Sequence, residues 1–559
     1  MLMRFLAISL SLALLFGNQT QLTAKQPVRT RQAMVVAEEP IATEIGVAVL
    51  KSGGNAVDAA IAVGFALAVT FPYAGNIGGG GFMLIRLADG RTTFLDFRER
   101  APEKATRNMY LDQAGNVTAD SIDGWRASGV PGTVRGLEMA HHKFGRKTWP
   151  QLLSPAIALA KNGFAVPYSL ASSLHGATAK FNQFPESKRV FLNGGAGFEM
   201  GAHFSQPDLA RTLERVSKNP SDFYEGETAK LIAAGMAANG GLITATDLKN
   251  YKVAERQPLT GKYKGYDVIT APPPSSGGIG ILQMLGMLEN SGYENSGAGS
   301  AASIHHVAEV MRRYFADRSE YFGDPDFFKV PIHALLNPAY IAKRKSTIDP
   351  NRATPSSEIR PGKLAGYESS ETTHFSIVDK EGNAVAMTYT LNGGYGSHVT
   401  VPGTGILLNN EMDDFSAKPG VPNMFKLIQG EANAIQPGKR PLSSMTPTIL
   451  VRDGKPVLVV GGPGGSKIIS SVLQVILNVV DFGMNAQDAV DAPRFHHQWQ
   501  PDVLAIEKGF SPDTVKILES LGHKVESTNS VARIEAVVID NGLLQGGADG
   551  RGYGKAEGY

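Results

Sequence analysis

Apolar and polar positions follow two different periods along the chain. From Asn55 to Val69 the pattern is helical, and Pro72 closes it. Residues 82–87 then read as a strand, Asp89-Gly90 as a turn and Thr92 to Phe97 as its partner. Helical stretches follow around 133–160 and 208–240. Next come an apolar segment from Tyr263 to Thr270, the loop Pro272-Pro273-Pro274-Ser275-Ser276-Gly277-Gly278, and a helix over 279–289. The second half repeats the hairpin theme. His374 to Val378 pairs with Ala384 to Thr390, Thr448 to Val451 with Val457 to Val460 across Asp453-Gly454, and Ile534 to Ile539 with Leu543-Leu544 across Asn541-Gly542. Helices are expected over 468–480 and 513–521. Antiparallel hairpins with interspersed helices predict sheets covered by helical layers, an α+β sandwich.

Composition narrows the chemistry. The 559 residues include no Cys, which excludes disulfides, thiolate metal sites and a cysteine nucleophile. A formal net charge of +2 excludes a polybasic nucleic-acid or membrane binder. Arg4, the apolar run 5–17 and Leu22-Thr23-Ala24 read as a cleaved secretory signal over 1–24, placing the mature chain in the periplasm or outside the cell, off the membrane. Residues 349–371, rich in Pro, Ser and Gly, read as an exposed segment that ends abruptly at Thr372-Thr373-His374.

Familiar catalytic motifs fail. In Gly461-Gly462-Pro463-Gly464-Gly465-Ser466-Lys467, Ser466 stands where a phosphate loop needs Gly, and Ile468 where a nucleophile elbow needs it. No metal-ligand spacing exists, so neither a metal nor a cofactor is expected. What survives is a strand, a glycine loop and a helix start, an arrangement that serves phosphate binding, an oxyanion hole or tight packing alike. Asn409 to Phe415 gathers three carboxylates and two amides, either a solvated turn or a pocket for an ammonium. Arg98, at the end of an apolar strand, is either an edge residue or a planar clamp for a carboxylate. Together the last two would recognise an amino-acid headgroup.

These pieces, in this order, resemble the γ-glutamyltranspeptidase family of N-terminal nucleophile hydrolases. The resemblance rests on residues 55–60, 78–82, 96–99, 272–278, 372–376, 409–415, 440–445, 462–466 and 492–494, and spans essentially the whole mature chain. It implies a four-layer αββα sandwich formed jointly by two subunits cut from one precursor. The cut would fall between Glu371 and Thr372, giving a large subunit over 25–371 and a small one over 372–559 that pair as a heterodimer. Thr372 would be the nucleophile, its freed α-amine the base, with Thr390 hydrogen-bonding nearby. Such an amine titrates at about 7.7–8.0 when unperturbed, so a neutral fraction exists near pH 7. Arg98, with Ser443 and Ser444, would hold a substrate α-carboxylate. Asn392, Glu411 and Asp414 would hold the α-ammonium, and the Gly464 and Gly465 amides would line the oxyanion hole.

The implied reaction opens a γ-glutamyl amide such as glutathione and passes the acyl group to water, an amino acid or a peptide. Two departures stand out: Glu411 where some bacterial relatives have Gln, and Phe425 where some have Tyr, in a lid-like loop over 416–439. A glutaryl or cephalosporin acylase shares the architecture but needs no ammonium pocket. A non-catalytic periplasmic amino-acid-binding protein would need no self-cutting chain.

Overall fold

The computed structural model describes residues 25–361, 373–418, 421, 424 and 430–559. In chain order its main sheet strands are β1 (Val28–Thr30), β2 (Met34–Ala37), β3 (Gly80–Arg86), β4 (Thr92–Asp96), β5 (Ala254–Arg256), β6 (Leu259–Tyr263) and β7 (Tyr266–Thr270). They continue as β8 (Thr373–Val378), β9 (Ala384–Thr390), β10 (Thr448–Arg452), β11 (Lys455–Gly461), β12 (Glu535–Asp540), β13 (Leu543–Ala548) and β14 (Lys555–Gly558). One seven-stranded sheet runs β1-β13-β12-β11-β10-β7-β6, the other β14-β2-β8-β9-β3-β4-β5.

Alternation within the strands sets the layers. Val35, Ala37, Met83 and Ile85 face a core shared with helices α1 (Pro40–Lys51) and α2 (Ala56–Thr70). Met34, Val36, Phe82 and Leu84 face the other way, into a core that holds the first sheet and helices α3 (Gly277–Leu288), α4 (Ala301–Tyr321) and α5 (Ser466–Val480). Helix, sheet, sheet, helix is the expected four-layer sandwich. Helix α2 starts at a capping box in which the Asp58 amide donates to Asn55 Oδ1 at 2.9 Å and the Asn55 amide to Asp58 Oδ2 at 3.0 Å. All 15 of its residues are buried, so it is apolar on every side. Among the described residues no helix is long and apolar enough to cross a membrane.

The Asp453-Gly454 and Asn541-Gly542 turns form as expected, each with both residues at positive φ. Tyr263 to Thr270, read as one segment, instead holds the last residue of β6, a two-residue turn and β7. Lys264 and Gly265 turn it with φ values of 45° and 84°, and lysine gives no local signal for that conformation. The segment after 349 carries an addition to its reading. Up to residue 361 most of it is exposed, as expected, but it is also moored, with Ala353, Ser356 and Ile359 buried. The Ser356 amide donates to Asp502 Oδ2 at 2.7 Å, and Trp499 Nε1 donates to the Ser356 and Ile359 carbonyls at 2.9 and 3.1 Å. The signal segment, the expected cut at 371/372 and Phe425 lie outside the described residues.

Candidate active site

Both sheets stop at a common end, and the site is built there. β2 ends at Ala37, β4 at Asp96, β9 at Thr390 and β11 at Gly461, while β8 opens at Thr373. Thr372 itself is outside the described residues. The antiparallel ladder ends with Thr373 opposite Tyr389, one residue short of Thr390. Thr390 is buried, and its hydroxyl accepts from the Asn392 amide at 2.7 Å. Asn392 takes a left-handed φ of 75°, which turns the chain out of β9, and its Nδ2 donates to the Asn410 carbonyl at 3.0 Å.

Arg98 is 1% exposed and its guanidinium is fully engaged. Nε donates to the Pro441 carbonyl at 3.2 Å and Nη2 to the Leu442 carbonyl at 2.9 Å. Nη1 pairs with Glu411 Oε1 and Nη2 with Asp414 Oδ2. The sequence treats the cation and the two acids as separate halves of a zwitterion site. Here they contact each other directly, because the short helical turn Glu411–Asp414 folds back over the end of β4. Glu411 Oε2 and Asn392 Oδ1 are buried with no donor among the described residues.

Ser443 and Ser444 follow immediately on the two carbonyls that fix Arg98. The Ser444 hydroxyl accepts from Arg318 at 2.9 Å, and Arg318 Nε donates to the Ser276 hydroxyl at 3.0 Å. On the other sheet, Gly464 and Gly465 have φ values of 135° and 71° and lead into α5. A Cβ on Gly464 would come within 2.7 Å of the Ala532 Cβ, so glycine is required there for fit as well as for backbone freedom. Neither glycine amide donates to another described group.

A third carboxylate, Glu99, belongs to this cluster. It is completely buried, 3.9 Å from the Arg98 guanidinium, and burial pushes its carboxyl up to about 7 against the pull of Arg98. Glu411 is likewise held well above the usual carboxylate range, first by burial and then by its acidic neighbours. One guanidinium faces three buried carboxylates here, and Glu99 and Glu411 are the two held up. Sequence alone could have found Glu99 only by noticing that it follows Arg98 at the same strand end. His374, two residues beyond the expected nucleophile, is neutral, driven down to about 3 by burial, and sits between the Thr388 and Ser376 hydroxyls at 2.8 and 3.0 Å.

A model of the γ-glutamyltranspeptidase family matches residues 42–559. The chain belongs to that family. It is 53% identical over 94% of its length to a glutathione hydrolase proenzyme of Escherichia coli, covering 91% of that protein. A γ-glutamyltranspeptidase of Helicobacter pylori superposes with a TM-score of 0.58 at 46% identity, over 62% of this chain and 99% of the solved one. A cephalosporin acylase of Bacillus halodurans superposes over 97% of this chain and 99% of its own, with a TM-score of 0.86 but only 27% identity. The γ-glutamyltranspeptidase chain is thus an enzyme with the N-terminal nucleophile hydrolase fold, closer in sequence to the glutathione hydrolases than to that acylase. A non-catalytic binding protein is set aside.

Proposed function

We propose that this γ-glutamyltranspeptidase cuts itself between Glu371 and Thr372 and then cleaves glutathione and related γ-glutamyl amides through a γ-glutamyl ester of Thr372. The observation that carries this reading is the buried cluster in which Arg98 meets Glu411 and Asp414 just past the end of β4. A γ-glutamyl headgroup brings one cation and one anion. Its ammonium takes over the carboxylates and the Asn392 Oδ1 acceptor, and its carboxylate replaces them on Arg98, with the Ser443 and Ser444 hydroxyls at hand. The exchange leaves both Arg98 and the acids beside an opposite charge.

The Thr372 α-amine, freed by the cut, takes the hydroxyl proton as the oxygen attacks the γ-carbonyl, and the Gly464 and Gly465 amides receive the developing oxyanion. Water or an amine then releases the acyl group. The mature protein pairs a 25–371 subunit with a 372–559 subunit in the periplasm or outside the cell. The share of this chain matched by the H. pylori γ-glutamyltranspeptidase chain, 62%, equals the share that 25–371 makes up. N-terminal sequencing of the small subunit and release of p-nitroaniline from γ-glutamyl-p-nitroanilide test the reading. A small subunit that begins elsewhere, or an inactive processed protein, overturns it.

Asp414→Asn separates this reading from an acylase. A glutaryl substrate has no ammonium and leaves the acids unpaired. The variant should lose about tenfold or more in kcat/KM on γ-glutamyl anilide, one charge-assisted bond at about 1.5–3 kcal/mol, and lose much less on glutaryl anilide. An unchanged preference ratio would place the ammonium elsewhere.

Headgroup binding should also move protons. A bound ammonium favours ionised Glu99 and Glu411, so their carboxyls fall from their raised free-enzyme values. Protons are then released wherever the free groups still hold them, which for Glu99 means below about 7. The Glu99 share of this release should make affinity for L-glutamate rise with pH up to about 7. Calorimetry in two buffers of different ionisation enthalpy measures the release, and Glu99→Gln should diminish it.

A further inference from the structure

The 96–99 stretch begins with an acid that the headgroup site leaves unused. Asp96 closes β4 two residues before Arg98 and is completely buried. A carboxylate in such a place needs partners, and it has three. Its Oδ1 accepts from the Arg98 amide at 3.1 Å and lies 3.3 Å from Arg440 Nε. Its Oδ2 accepts from Arg256 Nε at 2.7 Å. Arg440 stands immediately before Pro441 and Leu442, whose carbonyls accept from the Arg98 guanidinium. One carboxylate therefore ties down both the backbone of Arg98 and the loop on which its side chain rests.

The surrounding contacts hold that carboxylate in place. The Arg440 amide donates to Asp324 Oδ2 at 2.8 Å, and Arg440 Nη2 donates to the Lys252 carbonyl at 2.7 Å. Arg256, on the edge strand β5, donates to the half-exposed Asp326 through Nη1 and Nη2 at 3.2 and 2.8 Å. On the other side of Arg98, the Tyr251 hydroxyl donates to its carbonyl at 2.8 Å. The Arg98 peptide groups are thus fixed in both directions. A planar clamp needs this, because it works only when held within about 0.5 Å of its productive position.

We infer that Asp96 is the positioning residue of the donor clamp. By holding the Arg98 amide and Arg440 together, it sets the spacing between β4 and the Pro441-Leu442 carbonyls at which the guanidinium meets a substrate carboxylate. Arg256, braced by Asp326, keeps Asp96 turned toward both. The inference rests on the reading of Arg98 as the group that holds the donor α-carboxylate. Asp96 acts through Arg98 and takes no proton in the reaction, so its loss falls on donor binding and leaves the chemical steps largely as they were.

The test uses the processed enzyme with γ-glutamyl-p-nitroanilide as donor. Asp96→Asn should raise donor KM by about tenfold with kcat within about twofold, the effect of one charge-assisted bond lost from a binding element. Asp326→Asn, a change at the rim of the network, should raise donor KM by about threefold and leave kcat alone. The double variant Asp96→Asn/Arg98→Lys should have the donor KM of Arg98→Lys, because a residue that acts through Arg98 has nothing left to position. Independent, multiplying effects in the double variant would make Asp96 a general structural support and overturn the assignment. So would an unchanged donor KM in Asp96→Asn, or a kcat that falls with KM unmoved. If Asp96→Asn fails to mature, Arg256→Gln and Asp326→Asn decide: an unchanged donor KM in both overturns it. An unchanged donor KM in Arg98→Lys would instead sink the clamp reading itself, so the two failures are distinguishable.

Discussion

Thr372→Ala is expected to give a folded, uncut chain without γ-glutamyl activity, whereas Thr373→Ala should still cut. Both hydroxyls adjoin the proposed break, but only the first becomes a chain end that carries nucleophile and base in one residue. Thr373 already belongs to β8, paired with Tyr389 and fully buried, so its backbone is committed to the ladder. A denaturing gel reads the cut as one band or two, and a γ-glutamyl-p-nitroanilide assay reads activity. The loss should be complete within detection, since the variant lacks the hydroxyl and keeps the amine locked in an amide. Processing of Thr372→Ala at the normal position would refute the assignment.

Arg98→Lys should be far from conservative. The guanidinium serves the Pro441 and Leu442 carbonyls and the Glu411 and Asp414 carboxylates together, and a lysine ammonium cannot span all four. Breaking a buried ionic network costs about 3–5 kcal/mol, more than the loss of one hydrogen bond to substrate. KM for the donor should therefore rise by about a hundredfold or more in whatever fraction matures, and the melting temperature should fall. Steady-state kinetics on the purified heterodimer, alongside thermal melting, separate the two effects. An unchanged KM would remove Arg98 from the carboxylate clamp.

The hairpins and the fully apolar helix α2 were legible because their signals are local: capping residues, turn pairs at positive φ and a period of two. Helix α4 gave no such signal. Glu309, Arg312, Arg313, Asp317 and Arg318 are charged yet buried, satisfied by one another and by loops distant in sequence, so its buried face does not look apolar. The same reason limits the site. Arg98, Glu411 and Asp414 were each recognisable as residue types, but their mutual contact depends on two chain segments more than 300 residues apart meeting at one sheet end. The mooring of residues 353–361 was invisible for the same cause, since the partners Asp502, Trp499 and Leu521 lie far downstream.

The order of the second sheet has a consequence for the sequence of events in biosynthesis. β8 and β9, from beyond the proposed cut, lie between β2 and β3, from before it, so the two products interleave within one hydrogen-bonded layer. A continuous chain assembles this layer at an effective concentration set by its own connectivity. Two separate chains would have to find each other as dilute partners and thread the same order. The proposed scission removes the tether without cutting any strand of this layer, so the two products would keep an arrangement they could not readily regain once taken apart. Its persistence then depends on how slowly it opens, and cleavage has to follow folding.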